Sequence, residues 1–372
     1  MFRYPLGGML SWVLQYLTGF IKLGYDVYFV EKYGYPNSCY NPVREIMSND
    51  CSYGIRIVSK LLENHGLSGK WCFMDIKGNY YGLSKREIDN LFKNSDLFID
   101  MGTHGAWMKE ACDTKLTLLL DGEPGYTQIK MMHNINNGDP LPQYDLYYTT
   151  GYNIGQKANP TPTAGLSWNH IFHPVDMQLF TNYMYKPNFK FTTIMNWTSH
   201  DPINYNGKTY GQKNIEFRKI AQLPTRVEAE LELAISGKKI PIDWLKKYGW
   251  QIRKGKEVTR TFDTFRNYIA RSSGEFSICK NIFVEQQTGW FSDKSAAYLA
   301  SSKPVILQDT GFSQHLPCGE GLFAFTNLEE AVQALDRVCS DYEKHSKQAL
   351  EIAHEYLSTD RVLKKFISEI GI

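Results

Sequence analysis

Apolar residues recur in two patterns that alternate along the whole chain. Stretches with helical spacing are followed by short continuous apolar runs, which are typical of buried parallel strands. In the first half, residues 8–24 show helical spacing up to a glycine, and residues 96–100 and 115–121 are clear apolar runs. Ser84 is predicted to cap a helix together with Glu87, three residues later.

The same order of elements restarts after residues 173–188, which carry two prolines and little periodicity. We therefore predict an α/β protein with two Rossmann-like, doubly wound domains facing a cleft. Residues 1–180 form the first domain and residues 181–358 the second, and a helix over 359–372 is expected to cross back to the first. In such folds, ligands bind at the carboxyl ends of strands, and helix N-termini receive phosphates.

Composition narrows the class of protein. With 42% hydrophobic residues among 372, the chain can build cores of ordinary size. Lys and Arg number 41 against 39 Asp and Glu, so the basic excess usual in nucleic-acid binding is missing, although a local basic groove stays open. Seven cysteines without a CxxC motif favour reduced thiols. No apolar run is long enough to span a membrane. We expect a soluble, cytoplasmic protein without stable membrane insertion.

Residues 289–312, GWFSDKSAAYLASSKPVILQDTGF, predict a loop, a helix from about Ser292, a strand and a glycine-bearing loop. This segment resembles the donor-binding segment of glycosyltransferases with the two-domain GT-B fold, in which the pattern is G-F-G…E-A-M-A-x-G-x-P-V-V-x-x-D-x-G-G. The resemblance implies that the helix presents its N-terminus to the diphosphate of a nucleotide sugar. The helical glutamate of the family, a ribose ligand, falls on Ala297 here, and Asp293 and Ser295 are the candidates to replace it.

Further segments resemble a group of bacterial glycosyltransferase-like proteins and together cover most of the chain. They are YPLGGMLSWVLQYLTGFIKLGYDVYFVE, DGEPGYTQIK, MNWTSH, YGQKNIEF, GEFSICKN and GWFSDKSAAYLASSKPVILQDTGF…LPCGEGLFAF. In the similar proteins a strand precedes the paired glycines, whereas Gly7 here follows Met1 by only six residues. Either the start is placed late or the first strand is absent, and we prefer a shortened start. A missing central strand would expose two sheet edges.

The resemblance implies metal-independent transfer, in which cations, helix N-termini and backbone N–H groups stabilise the leaving diphosphate. No cofactor is expected beyond the nucleotide sugar itself, with a UDP-sugar favoured. The candidate donor-binding residues are Gly8, Asn196, Trp197, Thr198, Ser199, Lys280, Ser292, Asp293, Lys294, Ser295, Asp309, Thr310 and Gly311. Several have a structural alternative: Lys280 as a surface lysine, Asp309 as a turn cap and 196–199 as a plain turn. Lys213 and Arg218 are expected to be solvated.

Candidate bases lie after strands of the first half. Asp121 and Glu123 follow the apolar run 115–121 in a loop with two glycines and a proline. His104 follows the run 96–100, and a histidine has a pKa suited to proton transfer near neutral pH. Each of the three also has a structural alternative, a turn residue or a packed histidine.

The leading hypothesis is a hexosyltransferase-like enzyme that moves a sugar from a nucleotide-sugar donor to a glycan, a small molecule or a modified nucleobase. Three alternatives stay open. One is another GT-B enzyme, such as an epimerase or a phosphorylase. The second is a non-catalytic nucleotide- or glycan-binding relative, which the missing helical glutamate supports. The third is a transferase acting on modified DNA bases, which the near-neutral charge does not favour.

Overall fold

The computed structural model describes residues 1–102, 105–180, 189–199 and 201–372, and a first group of elements occupies its first half. The helices there are α1 (Gly7–Lys22), α2 (Ser52–Glu63), α3 (Lys85–Asn94) and α4 (Tyr126–Asn136). The strands are β1 (Phe29–Lys32), β2 (Cys39–Asn41), β3 (Ile46–Ser48), β4 (Trp71–Met74), β5 (Tyr80–Gly82), β6 (Phe98–Asp100), β7 (Thr117–Asp121), β8 (Leu146–Thr149) and β9 (Asn169–His170).

A second group of elements follows residue 189. Its strands are β10 (Lys190–Asn196), β11 (Ile203–Tyr205), β12 (Lys208–Tyr210), β13 (Glu230–Ser236), β14 (Gln251–Lys254), β15 (Gly274–Ser277), β16 (Val305–Gln308) and β17 (Leu322–Phe325). Its helices are α5 (Lys213–Ile220), α6 (Ile242–Lys247), α7 (Gly255–Thr259), α8 (Phe262–Arg271), α9 (Asn281–Glu285), α10 (Asp293–Ala300), α11 (Leu328–Ser340) and α12 (Tyr342–Ile352), and α13 (Thr359–Ile370) ends the chain.

The second-half sheet is continuous. Its six parallel strands lie in the order β14-β13-β10-β15-β16-β17, which is the order of a doubly wound domain. Apolar side chains on one face, such as Leu231 and Leu233, pack with Phe217 of α5 and Trp250. The other face packs with α8, α10 and α12. Burial on both faces explains why these strands read as apolar runs.

Among the described residues, the strands of the first half form three sheets instead of one. The first has the order β1-β4-β5, the second has the order β6-β7-β8-β9, and β2 pairs only with β3; β1 and β6 are edge strands. The strand bounds follow the apolar runs predicted at 96–100 and 115–121. Ser84 caps α3 as predicted, because its side chain accepts from the Glu87 N–H while the Glu87 carboxylate accepts from the Ser84 N–H. The expectation for this half allowed for an absent first strand, and its sheet is divided between β1 and β6.

The chain crosses between the halves twice at one place. The Val175 N–H donates to the Leu357 carbonyl at 2.7 Å, and the Thr359 N–H donates to the Val175 carbonyl at 3.1 Å. After this crossing, α13 packs on the first half, where Phe366 lies edge-on to Tyr148 with ring centroids 5.1 Å apart. Within the part of the chain that the structure describes, no helix combines the length and apolarity needed to cross a bilayer.

Helix α1 connects the halves by close packing. At Gly7, an added Cβ would lie 2.5 Å from Phe265 Cβ and 2.6 Å from the Thr261 carbonyl oxygen, so α1 touches the start of α8 directly. At Gly8, the nearest atom to an added Cβ, Phe265 Cε2, is 3.9 Å away. The two glycines therefore differ: Gly7 permits the contact between the halves, and Gly8 faces open space beside it.

Candidate functional site

A continuous cavity of about 1750 Å³ runs from the interior of the first half into the cleft between the halves. At the cleft end it is lined by Gly8 and Trp12 of α1, by Glu123 and by the start of α10. Two of the predicted donor-binding residues, Gly8 of the first half and Asp293 of the second half, therefore line the same cavity from different halves. The carboxyl ends of β7 and β15 lead into the same region, as expected of a doubly wound fold.

The start of α10 opens on this cavity. Ser292, Asp293 and Lys294 line it, whereas Ser295 is fully buried beneath them. Burial raises the pKa of Asp293 to about 6, against the opposing effect of the neighbouring Lys294 and of backbone N–H groups at the helix start. The helix N-terminus adds a partial positive charge to this end of the cavity. The arrangement offers an anion-binding surface next to a carboxyl group.

Lysine side chains converge beneath the helix start. Lys294 Nζ forms a buried ion pair with Glu275 of β15 and donates to Ser277 Oγ at 3.1 Å. Burial, and then the positive charge of Lys294, lower the pKa of Lys213 to about 8. Lys280, at the end of β15, adds a further cation to this group. The expectation that Lys213 is solvated was wrong, because the first turn of α5 turns it into the interior, where it is half-buried.

An ion pair spans the cleft between two predicted site residues. Lys280 Nζ of the second half pairs with the Glu123 carboxylate of the first half, and only 14% of the Lys280 side chain is exposed against 41% for Glu123. Within the described residues, Lys213 has no such carboxylate partner. The cluster thus contains three lysines, Lys213, Lys280 and Lys294. Only two carboxylates, those of Glu123 and Glu275, are paired with them.

Asp121 is organised differently from Glu123. Its Oδ1 accepts from the Glu123 N–H at 2.8 Å, and its Oδ2 accepts from Gln128 and from the Thr149 hydroxyl, each at 2.8 Å. It is 1% exposed. These bonds shape the loop that carries Glu123. Both residues line the cavity, but Asp121 is nearly fully buried by its bonds, whereas Glu123 is partly exposed. His104, the third predicted base, lies outside the described residues.

The loop after β10 has mixed surroundings. The Trp197 ring packs in the second-half core against Phe217, with centroids 5.6 Å apart, and the backbone N–H of Trp197 donates to the Ser236 carbonyl. Its side chain therefore faces the core and not the cleft. Asn196 and Ser199 are exposed and Thr198 is half-exposed, and the Ser199 hydroxyl donates to Gln212 just before α5.

The loop after β16 is held by its own bonds and by the first half. The Asp309 carboxylate accepts from the Gly311 N–H at 2.9 Å and from the Ser313 hydroxyl at 2.7 Å, which is the capping alternative. The Thr310 hydroxyl donates to the Trp290 carbonyl at 2.6 Å. An added Cβ at Gly311 would lie 2.5 Å from Asn153 Nδ2. This edge of the cleft is closed in the structure.

Sequence reasoning missed an aromatic and histidine group on the first-half side. The Trp12 Nε1–H donates to His173 Nδ1 at 3.2 Å, and the Tyr16 hydroxyl lies 3.3 Å from the same nitrogen. Because an indole N–H can only donate, His173 Nδ1 is the acceptor and the ring is neutral. Burial lowers the pKa of His173 to about 3, in agreement. All three residues line the cavity, but no motif links positions so far apart in sequence.

Several buried polar atoms near the cleft have no hydrogen-bond partner within the described part of the protein. They are Glu275 Oε2, Ser295 Oγ, Trp290 Nε1, Thr288 Oγ1 and Thr150 Oγ1. Native proteins leave few such atoms, and groups of them point to an absent polar partner. Across the same described ranges, no group of three or more His, Cys, Asp or Glu side chains is placed to hold a metal ion.

Comparison with solved structures identifies the fold. An alpha-glucosyltransferase in complex with UDP and a 13-mer DNA containing an HMU base matches with a TM-score of 0.57 at 11% identity, over 100% of this chain and 97% of that one. A glycosyltransferase from Rickettsia africae ESF-5 matches at 0.52 and 12% identity, over 98% and 94%. HepE from Anabaena, in complex with UDP-glucose, matches at 0.51 and 13% identity, over 92% and 98%.

No family model matches the sequence, and no curated protein matches it. The structural similarity extends over nearly the whole of the chain and nearly the whole of each of these proteins. It confirms the predicted fold class: two Rossmann-like domains in the GT-B arrangement. At this level of identity the comparison establishes the fold, and the chemistry has to be argued from the side chains.

Proposed function

We propose that the protein is a glycosyltransferase that moves a sugar from a nucleoside diphosphate sugar to an acceptor held by the first half. The observation that carries this proposal is the cluster of Lys213, Lys280 and Lys294 at the start of α10, beside an open cavity. Three cations and a helix N-terminus suit a pyrophosphate. The UDP and UDP-glucose complexes of proteins with the same fold support a UDP-sugar as donor.

Donor binding changes the partner of Lys280 in this proposal. The diphosphate competes with Glu123 for the Lys280 ammonium, so binding the donor frees the Glu123 carboxylate at the cavity. Glu123 then accepts the proton of the acceptor hydroxyl. The acceptor oxygen bonds to the anomeric carbon, the bond from that carbon to the diphosphate oxygen breaks, and the lysines stabilise the charge on the leaving diphosphate. Asp121 acts as a positioning residue through its bond to the Glu123 N–H.

Asp293 takes the place of the helical glutamate that the resemblance led us to expect at Ala297. It lies at the helix start, lines the cavity and carries a carboxyl group that accepts hydrogen bonds from ribose or sugar hydroxyls when ionised. Ser295, the other candidate, is 0% exposed and lies behind the cavity wall, so Asp293 is the better replacement. The reaction needs no bound metal ion in this proposal, since the lysines supply the positive charge. The reduced thiols favour a cytoplasmic setting.

Calorimetric titration with UDP, and with UDP-, GDP-, ADP- and TDP-sugars, tests the donor site. Lys213→Ala and Lys280→Ala should each weaken UDP binding at least about tenfold, the usual loss for one charge-assisted hydrogen bond. Lys247→Ala, which removes an exposed lysine at the end of α6, is the matched control and should bind like the unmodified protein. Equal UDP affinity in Lys213→Ala and Lys247→Ala would contradict the donor assignment.

A second variant separates an enzyme from a binding protein. Glu123→Gln should bind UDP at least as tightly as the unmodified protein, because the carboxylate that competes for Lys280 is gone, and it should lower sugar transfer, or donor hydrolysis, by about 10² to 10⁴, the range for loss of a general base. A protein that binds UDP-sugars but releases no UDP in either form is the non-catalytic relative. Chelation with EDTA should leave the rate unchanged, and a loss restored by Mg²⁺ or Mn²⁺ would overturn metal independence.

A further inference from the structure

Two tryptophan residues flank the loop that carries the proposed base. On one side, an added Cβ at Gly122 would lie 3.4 Å from Trp12 Cζ2 of α1. On the other side, the backbone of Trp290 is bridged to Gly151, where an added Cβ would lie 2.5 Å from Pro124 Cβ. Both tryptophans line the cavity, one from each half. The base loop therefore lies between two aromatic residues that belong to different halves.

The Trp12 ring is held along one edge. Its Nε1–H donates to His173 Nδ1 at 3.2 Å, and the two rings are nearly perpendicular, at 89° with centroids 6.1 Å apart. The Tyr16 hydroxyl lies 3.3 Å from the same nitrogen. Because the neighbouring atoms of this edge meet Gly122, contacts on both sides fix the plane of the indole. Trp12 is only half-buried, so part of its ring surface stays open to the cavity.

Two residues that line the cavity carry an N–H group without an acceptor among the described residues. The neutral His173 ring accepts at Nδ1 and therefore carries its proton on Nε2, which bonds to no described residue. His173 is 4% exposed. The Trp290 Nε1–H is buried and also has no partner in the described chain. Buried donors without acceptors are costly, so these two groups point to oxygen atoms of a ligand.

The combination of a fixed indole and neutral donors suits the ring of a sugar. A pyranose has an apolar face of C–H groups that can stack on an aromatic ring, and its hydroxyl oxygens accept hydrogen bonds from N–H groups. Burial lowers the pKa of His173 to about 3, so this donor carries no charge near neutral pH. An indole is uncharged as well. Such donors favour uncharged oxygen atoms, whereas the lysine cluster of the second half favours phosphate.

We propose that Trp12, His173 and Trp290 form the acceptor subsite, and that its ligand is the terminal sugar ring of a glycan. This inference rests on the proposed glycosyl transfer and adds the acceptor to it. The apolar face of the ring stacks on Trp12, and two of its oxygen atoms accept from His173 Nε2 and Trp290 Nε1. Another hydroxyl of the ring gives its proton to Glu123 while its oxygen bonds to the anomeric carbon and the diphosphate leaves. His173 is also a positioning residue, because its Nδ1 holds the Trp12 ring.

Saturation-transfer NMR with methyl pyranosides tests the subsite. The probes are the methyl glycosides of glucose, galactose, mannose and N-acetylglucosamine, each added to the protein saturated with UDP. At least one should receive saturation, most strongly at the C–H groups of one ring face. Trp12→Ala should lower this signal at least about fivefold, whereas Trp12→Phe retains a ring and should keep most of it. No saturation of any probe, or equal signals in the two variants, would overturn the proposal.

A second experiment tests the positioning role of His173. In a spectrum of nitrogen-labelled protein, the Trp12 indole signal is identified by its loss in Trp12→Phe. His173→Leu should move this signal upfield and raise the dissociation constant of the bound glycoside at least about fivefold, because the indole loses its acceptor. His173→Asn places an acceptor oxygen near the position of Nδ1 and should restore both values. Identical results for the Leu and Asn variants would contradict the positioning role.

Two further outcomes would contradict the acceptor class. Saturation of thymidine but of none of the glycosides would identify a nucleobase as the ligand. Loss of the glycoside signal on addition of UDP would place the sugar in the donor site. Calorimetry with UDP keeps the two proposals apart: Trp12→Ala and His173→Leu should bind UDP like the unmodified protein, and an unmodified protein that does not bind UDP would contradict the proposed function. Thermal unfolding checks each variant, and the Trp12 pair decides if His173→Leu does not fold.

Discussion

The sheets of the two halves differ in completeness and in what they hold. The second-half sheet is continuous, and Glu275 of β15 forms a buried ion pair with Lys294 of α10 against it. The first-half sheet is interrupted, and its polar strand end, Asp121, is bonded to Gln128 of α4 and to Thr149 of β8. A complete sheet supplies a rigid platform on which charges can be buried in pairs. The interrupted half contributes mainly aromatic surface, from Trp12 and Tyr16, to the shared cavity.

The largest expected effect concerns the buried charges of the continuous sheet. Lys294→Met leaves the Glu275 carboxylate buried without its cation, and removing one partner of a buried ion pair costs about 3–5 kcal/mol of unfolding free energy. Urea unfolding measures the loss. The double variant Lys294→Met with Glu275→Gln removes both charges and should recover most of it. An unchanged urea midpoint in the single variant would contradict the view that the second-half sheet, unlike the first, holds its buried charges in pairs.

The next effect lies on the first-half side and depends on pH. Burial lowers the pKa of His173 to about 3 from an ordinary value near 6.5, so below pH 6.5 the unfolded chain binds a proton that the folded protein excludes. Stability from this group is complete above pH 6.5 and falls by roughly 3 kcal/mol as the pH is lowered to 4. His173→Gln should lose this part of the pH dependence. Parallel stability–pH curves for both proteins would contradict it.

A smaller effect tests the contact between the halves. Gly7→Ala places a methyl group against Phe265 and the Thr261 carbonyl and should cost about 1–3 kcal/mol, the range for overpacking. Gly8→Ala is the matched control, because it meets no atom closer than 3.9 Å, and it should change stability by no more than about 1 kcal/mol, in the stabilising direction. Thermal unfolding compares the two. Equal midpoints would show that α1 and α8 can separate freely.

The smallest expected effect concerns Asp293 in the second half, where burial shifts the pKa in the direction opposite to that of His173. Burial raises the pKa of Asp293 to about 6, so between pH 4 and 6 the folded protein holds a proton that the unfolded chain has lost. Stability from this group is greatest at low pH and is lost as the pH rises through 6. With partial exposure allowed for, Asp293→Asn should be more stable than the unmodified protein by about 1–2 kcal/mol at pH 7.5. No gain at pH 7.5 would contradict the raised pKa of Asp293 in the folded protein.

Local signals in the sequence were sufficient for many elements. The capping pair Ser84 and Glu87 begins α3, and the Asn327 side chain accepts from the Glu330 N–H at the start of α11. Such caps depend on residues three apart, which a sequence displays directly. The turn Asn206-Gly207, with φ of 49° and 73°, joins β11 to β12. Its Asn-Gly pair is a known hairpin signal that our sequence analysis did not use.

Other features depended on contacts between distant parts of the chain. The helical region after Asn327 is divided into α11 and α12 at Asp341, where φ is −143°. Lys213 lies close to groups about sixty to eighty residues further along the chain, such as Glu275 and Lys294, so its place in α5 alone made it look solvated. The meeting of Trp12 and His173 joins positions 161 apart. Helical or strand periodicity reports which face of an element is buried, but it does not report which element covers that face.

The paired crossings at Val175 and Ser358 determine how the two halves can move. Because both connections run side by side and are hydrogen-bonded to each other, they act together as a single hinge. Rotation about this hinge moves the residues that are farthest from it by the largest distance. It must also break the bonds that Asn153 makes with the carbonyl groups of Gln287 and Thr288, at 2.9 and 3.0 Å. Separation of the halves about this hinge therefore also requires the loss of other bonds across the cleft, among them the Thr161–Gln286 hydrogen bond and the Lys280–Glu123 ion pair.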